Sequence, residues 1–195
     1  MSYILALYIV ALGAASSQGC GDLEIVPRSS WGARSQKGPT EILNTPVDHT
    51  FIHHTALEEC SDFHSCCQNM RAIQDLHMDT RGWNDIGYNF VIGGDGRVYI
   101  SRGWTTVGAH TLGYNSKAIG FSLMGDFSFH EPSEIMLNTT NKLIQCALQK
   151  KYIKDDYKLH GHRDSCCTEC PGDAFYNLIK NWPHFEAGPL PDYYC

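Results

Sequence analysis

Short apolar runs, each closed by glycine or polar residues, recur along this chain. They cover residues 48–53, 88–93, 98–102, 118–124 and 157–160, and runs of that length and content predict strands. Gly93-Gly94-Asp95-Gly96 predicts a hairpin turn between the second and third. Elsewhere the period changes: residues 64–79 and 133–152 predict helices, the second with Leu137, Asn141, Ile144 and Leu148 at helical spacing behind a Ser133 cap. A third helix, over 174–181, follows Pro171-Gly172-Asp173 and buries Phe175, Leu178 and Ile179. Strands interleaved with helices predict an α/β fold, a central mixed β-sheet flanked by about three helices.

The ends of the chain read differently. Residues 1–17 join an apolar run, Tyr3 to Leu12, to small residues, which predicts a signal peptide cleaved near Gln18. That run falls short of the roughly 20 apolar residues needed to span a bilayer, so a secreted, extracellular product without membrane contact after cleavage is expected. Residues 18–47 are rich in Gly, Pro and Ser without sustained period and predict an extended N-terminal segment laid over the domain. Residues 48–184 then form one folded domain, and 185–195 a C-terminal tail, a size that suits a single core.

Nine cysteines fit an oxidising compartment, and their odd number leaves at least one sulfur outside disulfides. The net charge of -6, with Lys and Arg scattered, provides no basic patch for nucleic acid. Asn138-Thr139-Thr140 is an N-glycosylation sequon.

The candidate chemistry lies in three places. Phe51-Ile52-His53-His54-Thr55 carries an apolar run into two histidines at a strand end. Successive strand side chains point to opposite faces, so only one of His53 and His54 faces a given site. Far along the chain, His160-Gly161-His162-Arg163-Asp164 and Thr168-Glu169-Cys170-Pro171-Gly172-Asp173 place an imidazole and a thiolate eight residues apart. Two His and one Cys would leave the fourth tetrahedral position of a zinc ion open, as catalytic sites do. The residues leave a second choice: if the last strand continues through His162, His160 shares its face and competes as a ligand.

In the order and spacing of its fragments, the chain resembles the animal peptidoglycan recognition proteins, which are related in fold to phage-type zinc amidases. The fragments run from Ile25-Val26-Pro27-Arg28-Ser29-Ser30-Trp31 through His53-His54-Thr55-Ala56, Gly82-Trp83-Asn84-Asp85-Ile86-Gly87-Tyr88-Asn89-Phe90, Gly103-Trp104, Gly108-Ala109-His110 and Gly161-His162-Arg163 to Asn181-Trp182-Pro183-His184. The resemblance implies a zinc amidase or peptidoglycan-recognition domain over residues 48–184, with Zn2+ held by His53, His162 and Cys170. It implies bacterial peptidoglycan and muropeptides as partners, and cleavage of the amide between N-acetylmuramic acid and L-alanine. Receptor-only members commonly carry Ser in place of this Cys170, so the cysteine points to a hydrolase; a non-catalytic pattern-recognition receptor is the alternative.

By the same resemblance Tyr88 is the tyrosine that accompanies hydrolytic members, able to donate to an oxyanion. Thr168 stands where phage-type amidases carry a lysine, and both are expected at the reacting centre. Gly82-Trp83 matches the pair associated with meso-diaminopimelic acid, and Arg102 the arginine that grips its extra carboxylate. His54, His110 and Asn115 are expected to line the groove. The implied disulfides are Cys60–Cys66 and Cys20–Cys146, with Cys67, Cys166, Cys167 and Cys195 unassigned.

Overall fold

The computed structural model describes residues 20–191 and 193–195. The signal peptide expected over 1–17 lies outside the described residues. Six strands, β1 (Ile25–Val26), β2 (Val47–His54), β3 (Phe90–Ile92), β4 (Val98–Ile100), β5 (Ala118–Leu123) and β6 (Ile153–Gly161), form one sheet in the order β1-β4-β3-β5-β2-β6. β3 and β4 are antiparallel and every other neighbouring pair is parallel. β3 and β4 are the predicted hairpin, closed by Gly93 N–H on the Arg97 carbonyl and Gly96 N–H on the Gly93 carbonyl. The helices are α1 (Arg28–Trp31), α2 (Phe63–Asp75), α3 (Glu134–Gln149) and α4 (Asp173–Ile179).

Alternation along the strands sorts side chains into two layers. Phe90, Ile92, Val98, Ile119, Phe121 and Leu123 pack with Met136, Leu143 and Phe175 under α3 and α4. Val91 and Tyr99 pack on the opposite face with Trp31, Met70, Ile73 and Ile86 under α1 and α2. β5 is buried at every position: Ile119, Phe121 and Leu123 lie under α3 and α4, while Ala118 packs with Phe51, Tyr114 and Leu190 and Gly120 lies against the His110 ring. The same alternation separates two histidines at the end of β2: His54 shares the parity of Ile52, and His53 that of Phe51.

Several elements differ from the sequence expectation. The N-terminal segment is not merely extended: β1 pairs with β4, and Trp31 of α1 is fully buried, its indole N–H on the Ile100 carbonyl. Two residues of strand and one turn of helix are too short for any periodic signal. The helix expected over 64–79 is α-helical only to Asp75, and the π-helical turn Leu76–Thr80 follows. Its start is set by a reciprocal cap, with Asp62 accepting from His64 and Ser65 N–H and the Ser65 hydroxyl accepting from Asp62 N–H. In α3 the Ser133 side chain makes no capping bond, and the sheet-facing row is Met136, Thr140, Leu143 and Ala147, with Asn141 exposed. Ile144 of the predicted row is buried as well, and Leu137 and Leu148 pack partly buried against the same core, so of that row only Asn141 faces solvent.

β6 starts at Ile153, four residues earlier than expected, and ends at Gly161, where the 3-10 turn His162–Asp164 begins. Asp164, 3% exposed, holds that turn: its carboxylate accepts from Gly161 N–H (2.8 Å), Gly188 N–H (2.8 Å) and the Tyr176 hydroxyl (2.6 Å). Asp164→Ala strands a buried amide, a part-buried amide and a phenol, and the expected loss is about 3 kcal/mol. A denaturant titration checks this as a lowered midpoint at unchanged slope.

Candidate metal centre

His53 at the end of β2, His162 on the turn after β6, and Cys170 just before α4 come together. One ligand atom from each lies within 4.8 Å of the others. Cys170 Sγ is 3.6 Å from His53 Nδ1 and accepts the His54 backbone N–H at 3.4 Å. His160 is excluded by its hydrogen bonds. Its Nδ1–H donates to the Glu186 carbonyl at 2.8 Å, so its Nε2 is left to accept from His49 Nδ1 at 3.0 Å. Because β6 stops at Gly161, His162 leaves the strand's alternation and is free to turn away from His160.

Burial governs the charge of this cluster. His53 is 1% exposed, and desolvation holds its pKa well below the ordinary imidazole value, with His162, His110 and His54 adding to the effect. Desolvation lowers that of His162 to about 4. The Cys170 thiol is pushed up to about 12 by burial, against the favourable His54 N–H. The donor set without metal is therefore uncharged. Two neutral imidazoles are the form a divalent cation needs, and coordination itself drives a thiol to the thiolate. The remaining nitrogen of His53 is also accounted for: Nε2 has His110 Nδ1 at 3.3 Å and Thr111 Oγ1 at 3.4 Å as acceptors, which leaves the Nδ1 lone pair toward Cys170. Residues, protonation and outer partners all fit zinc.

Tyr88 lies beside this centre, its ring centroid 5.2 Å from that of His53 and its hydroxyl donating to the His54 carbonyl at 3.4 Å. Burial, then Cys170, raises its pKa, so the phenol is a proton donor. Thr168 Oγ1 accepts the Cys170 N–H at 3.2 Å and shapes the loop that delivers the sulfur. The three residues expected to line the groove are each held by neighbours. His54 Nδ1 accepts from Phe127 N–H at 3.3 Å and lies 3.7 Å from Asp126. The His110 ring is wedged beside Gly108 and Gly120, where any Cβ would collide with it. Asn115 Oδ1 takes the N–H groups of both His110 and Thr111 at 2.8 Å, and the rest of that side chain lines a cleft.

Arg102 lines the same cleft with Asn84, Gly108 and Asn115. Its guanidinium is anchored at two nitrogens, Nε on the Ile86 carbonyl and Nη1 on the Val107 carbonyl, both at 2.7 Å. It is thus a held cation rather than a loose strand-end side chain. The Trp83 ring centroid lies 4.7 Å from that of His77 with the planes tilted by 48°, and Arg81 sits 5.1 Å over the Trp83 ring. Gly82 takes φ 73°, and open space surrounds the place of a Cβ.

The sequence model of N-acetylmuramoyl-L-alanine amidases matches residues 43–173, a span that contains all three candidate ligands. The chain belongs to the N-acetylmuramoyl-L-alanine amidase family. The human protein named N-acetylmuramoyl-L-alanine amidase is 45% identical over 170 residues, 86% of this chain and 30% of the human protein. The chain therefore spans less than a third of that relative. Peptidoglycan-recognition protein SC2 of Drosophila melanogaster is 40% identical over 163 residues, 84% of this chain and 88% of that protein. Among solved structures, wild-type Drosophila PGRP-LB has a TM-score of 0.82 at 42% identity, covering 84% of this chain and 96% of that chain. Peptidoglycan recognition protein LE, solved with tracheal cytotoxin, a monomeric diaminopimelic acid-type peptidoglycan, has a TM-score of 0.82 at 41% identity, covering 83% and 95%. The family fold is thus the fold of this chain.

Two residues at the site escaped the sequence reading. His77, on the π-helical turn, receives the Gly87 N–H at 3.0 Å and packs against Trp83 and Tyr88. A π turn carries no periodic signature, and His77 reads as one more helical residue. Thr111 was hidden for a simpler reason, since a lone threonine after a histidine marks nothing. The sulfurs pair as Cys20–Cys146, Cys60–Cys66 and Cys167–Cys195, and Cys67, Cys166 and Cys170 are free. Asn138 is exposed on α3. Among the described residues no helix is long and apolar enough to cross a membrane.

Proposed function

We propose that this chain is a secreted, zinc-dependent N-acetylmuramoyl-L-alanine amidase. It binds bacterial peptidoglycan of the diaminopimelic acid type and hydrolyses the amide between N-acetylmuramic acid and L-alanine, serving innate immunity or the detoxification of wall fragments. The observation that carries this reading is the convergence of His53, His162 and an unpaired Cys170. Zinc held by those side chains would supply a Lewis acid for the amide carbonyl and an acidified water as nucleophile. The chain's own residues do the rest. His110 and Thr111 orient His53, and Thr168 orients Cys170. The Tyr88 phenol keeps its proton and donates it as a hydrogen bond to the oxygen on which negative charge develops. Three disulfides support secretion.

Binding of the diaminopimelic acid type is supported by the anchored guanidinium of Arg102, whose Nη2 has no hydrogen-bond partner among the described residues and can donate to a carboxylate. The LE relative, solved with such a ligand, points the same way. The deciding experiment incubates purified protein with diaminopimelate-type and lysine-type muropeptides, with and without a chelator. Release of free peptide, lost with chelator and restored by zinc, is expected; binding without release would make the protein a receptor. Tyr88→Phe should lower turnover by about 10²–10³ while leaving zinc content and muropeptide binding in place. Arg102→Ala should weaken diaminopimelate-type binding by about tenfold or more and lysine-type binding much less, read by calorimetry. Equal losses on both ligands would remove the specificity claim.

A further inference from the structure

The free thiol of Cys166 stands 3.4 Å from Nε2 of His162. An imidazole that binds a metal through one nitrogen needs an acceptor for the N–H on the other, and that partner sets tautomer and ring orientation. On His53 the division is plain: Nδ1 faces Cys170, and Nε2 faces His110 and Thr111. On His162 the only side-chain partner among the described residues is Cys166, and it takes Nε2. The Cys166 sulfur is not in the mutually close group formed by His53, His162 and Cys170.

We infer that Cys166 is a positioning residue, its sulfur accepting the Nε2–H of His162 and so leaving Nδ1 free as the metal-binding nitrogen. This rests on the metal reading above. The sulfur is held there by the C-terminal tail. Cys166 bridges to Tyr194, Cys167 N–H donates to the Tyr194 carbonyl at 3.2 Å, and Cys167 is cross-linked to Cys195. The Ser165 hydroxyl and N–H both donate to the His162 carbonyl, which ties the turn to the start of this segment. The tail disulfide thus has a role at the centre: it fixes the segment that carries the acceptor for His162.

The test uses the full-length mature protein loaded with zinc or cobalt. Zinc affinity, measured by competition with a chromophoric chelator, should fall by about tenfold in Cys166→Ala, the low end for such partners because sulfur accepts weakly. Cys166→Ser, which keeps an acceptor, should fall between the two, and thermal unfolding of the metal-free variants controls for folding. Ring 15N NMR of the zinc form should show His162 protonated at Nε2, with faster proton exchange in Cys166→Ala. Cobalt spectra should show one thiolate in both proteins. Unchanged zinc affinity in Cys166→Ala overturns the inference, as does a protonated Nδ1. A cobalt-thiolate band halved by the substitution also overturns it, because Cys166 would then be a ligand. A wild-type protein that binds neither metal overturns the metal centre itself, and this role with it.

Discussion

Cys170→Ser is expected to eliminate hydrolysis and leave muropeptide binding measurable. Serine at this position is an alcohol that stays protonated, and the soft anionic ligand of the set disappears. The two imidazoles left behind, His53 and His162, are neutral and cannot compensate that charge. Turnover should drop by more than about 10³, beyond what a single oxyanion donor supplies. Binding should survive because the cleft is built elsewhere: Arg102 hangs on the Ile86 and Val107 carbonyls, and Asn115 on the His110–Thr111 backbone. Released peptide, metal content and calorimetric binding on the same preparation separate these effects. Full activity from a zinc-free Cys170→Ser protein would end the proposed mechanism.

Mild acid is expected to destabilise the metal-free protein well before its carboxylates titrate. His77 is 3% exposed, and its pKa is lowered to about 4 by desolvation first, then by Arg81 and Arg102. In the unfolded chain an imidazole titrates near about 6.5. Between those values the unfolded state takes up a proton that the native state refuses. Stability is therefore full above the unfolded value and drains away as pH falls toward the folded one. At pH 5 the loss from His77 alone is about 2 kcal/mol. His110, lowered to about 3, and His49 and His162, each lowered to about 4, act in the same direction, the last two less because they are partly exposed. Denaturant midpoints at pH 7, 6 and 5 with chelator present measure the slope, and His77→Gln should flatten part of it. A slope that His77→Gln leaves untouched would show that the burial of His77 is not its source. Zinc should steepen the dependence, since protons compete for the same ring nitrogens.

The layers of the fold were legible because burial on a sheet or helix leaves a local period. Phe121 and Leu123 face one layer and their neighbours the other, as alternation requires. What lacked a period was missed: the two-residue strand Ile25–Val26, the single-turn helix ending in Trp31, and the π turn that carries His77. In α3 the legible row packs on the core through Leu137, Ile144 and Leu148, and only the position of the sheet added the row through Met136 and Leu143.

By itself the sequence determined the strand and helix periods, the hairpin glycines, an odd cysteine count and two rival pairs of histidines. Tertiary structure alone decided between the rivals. It ended β6 at Gly161, so that His160 accepts from His49 and donates to the Glu186 carbonyl while His162 turned toward His53 and Cys170. It also brought the sulfur of Cys170 to a ring nitrogen 117 positions away, against His53. The physical reason is range: local patterns record which face of an element is apolar, whereas a three-point site depends on where separate elements stop and how they pack.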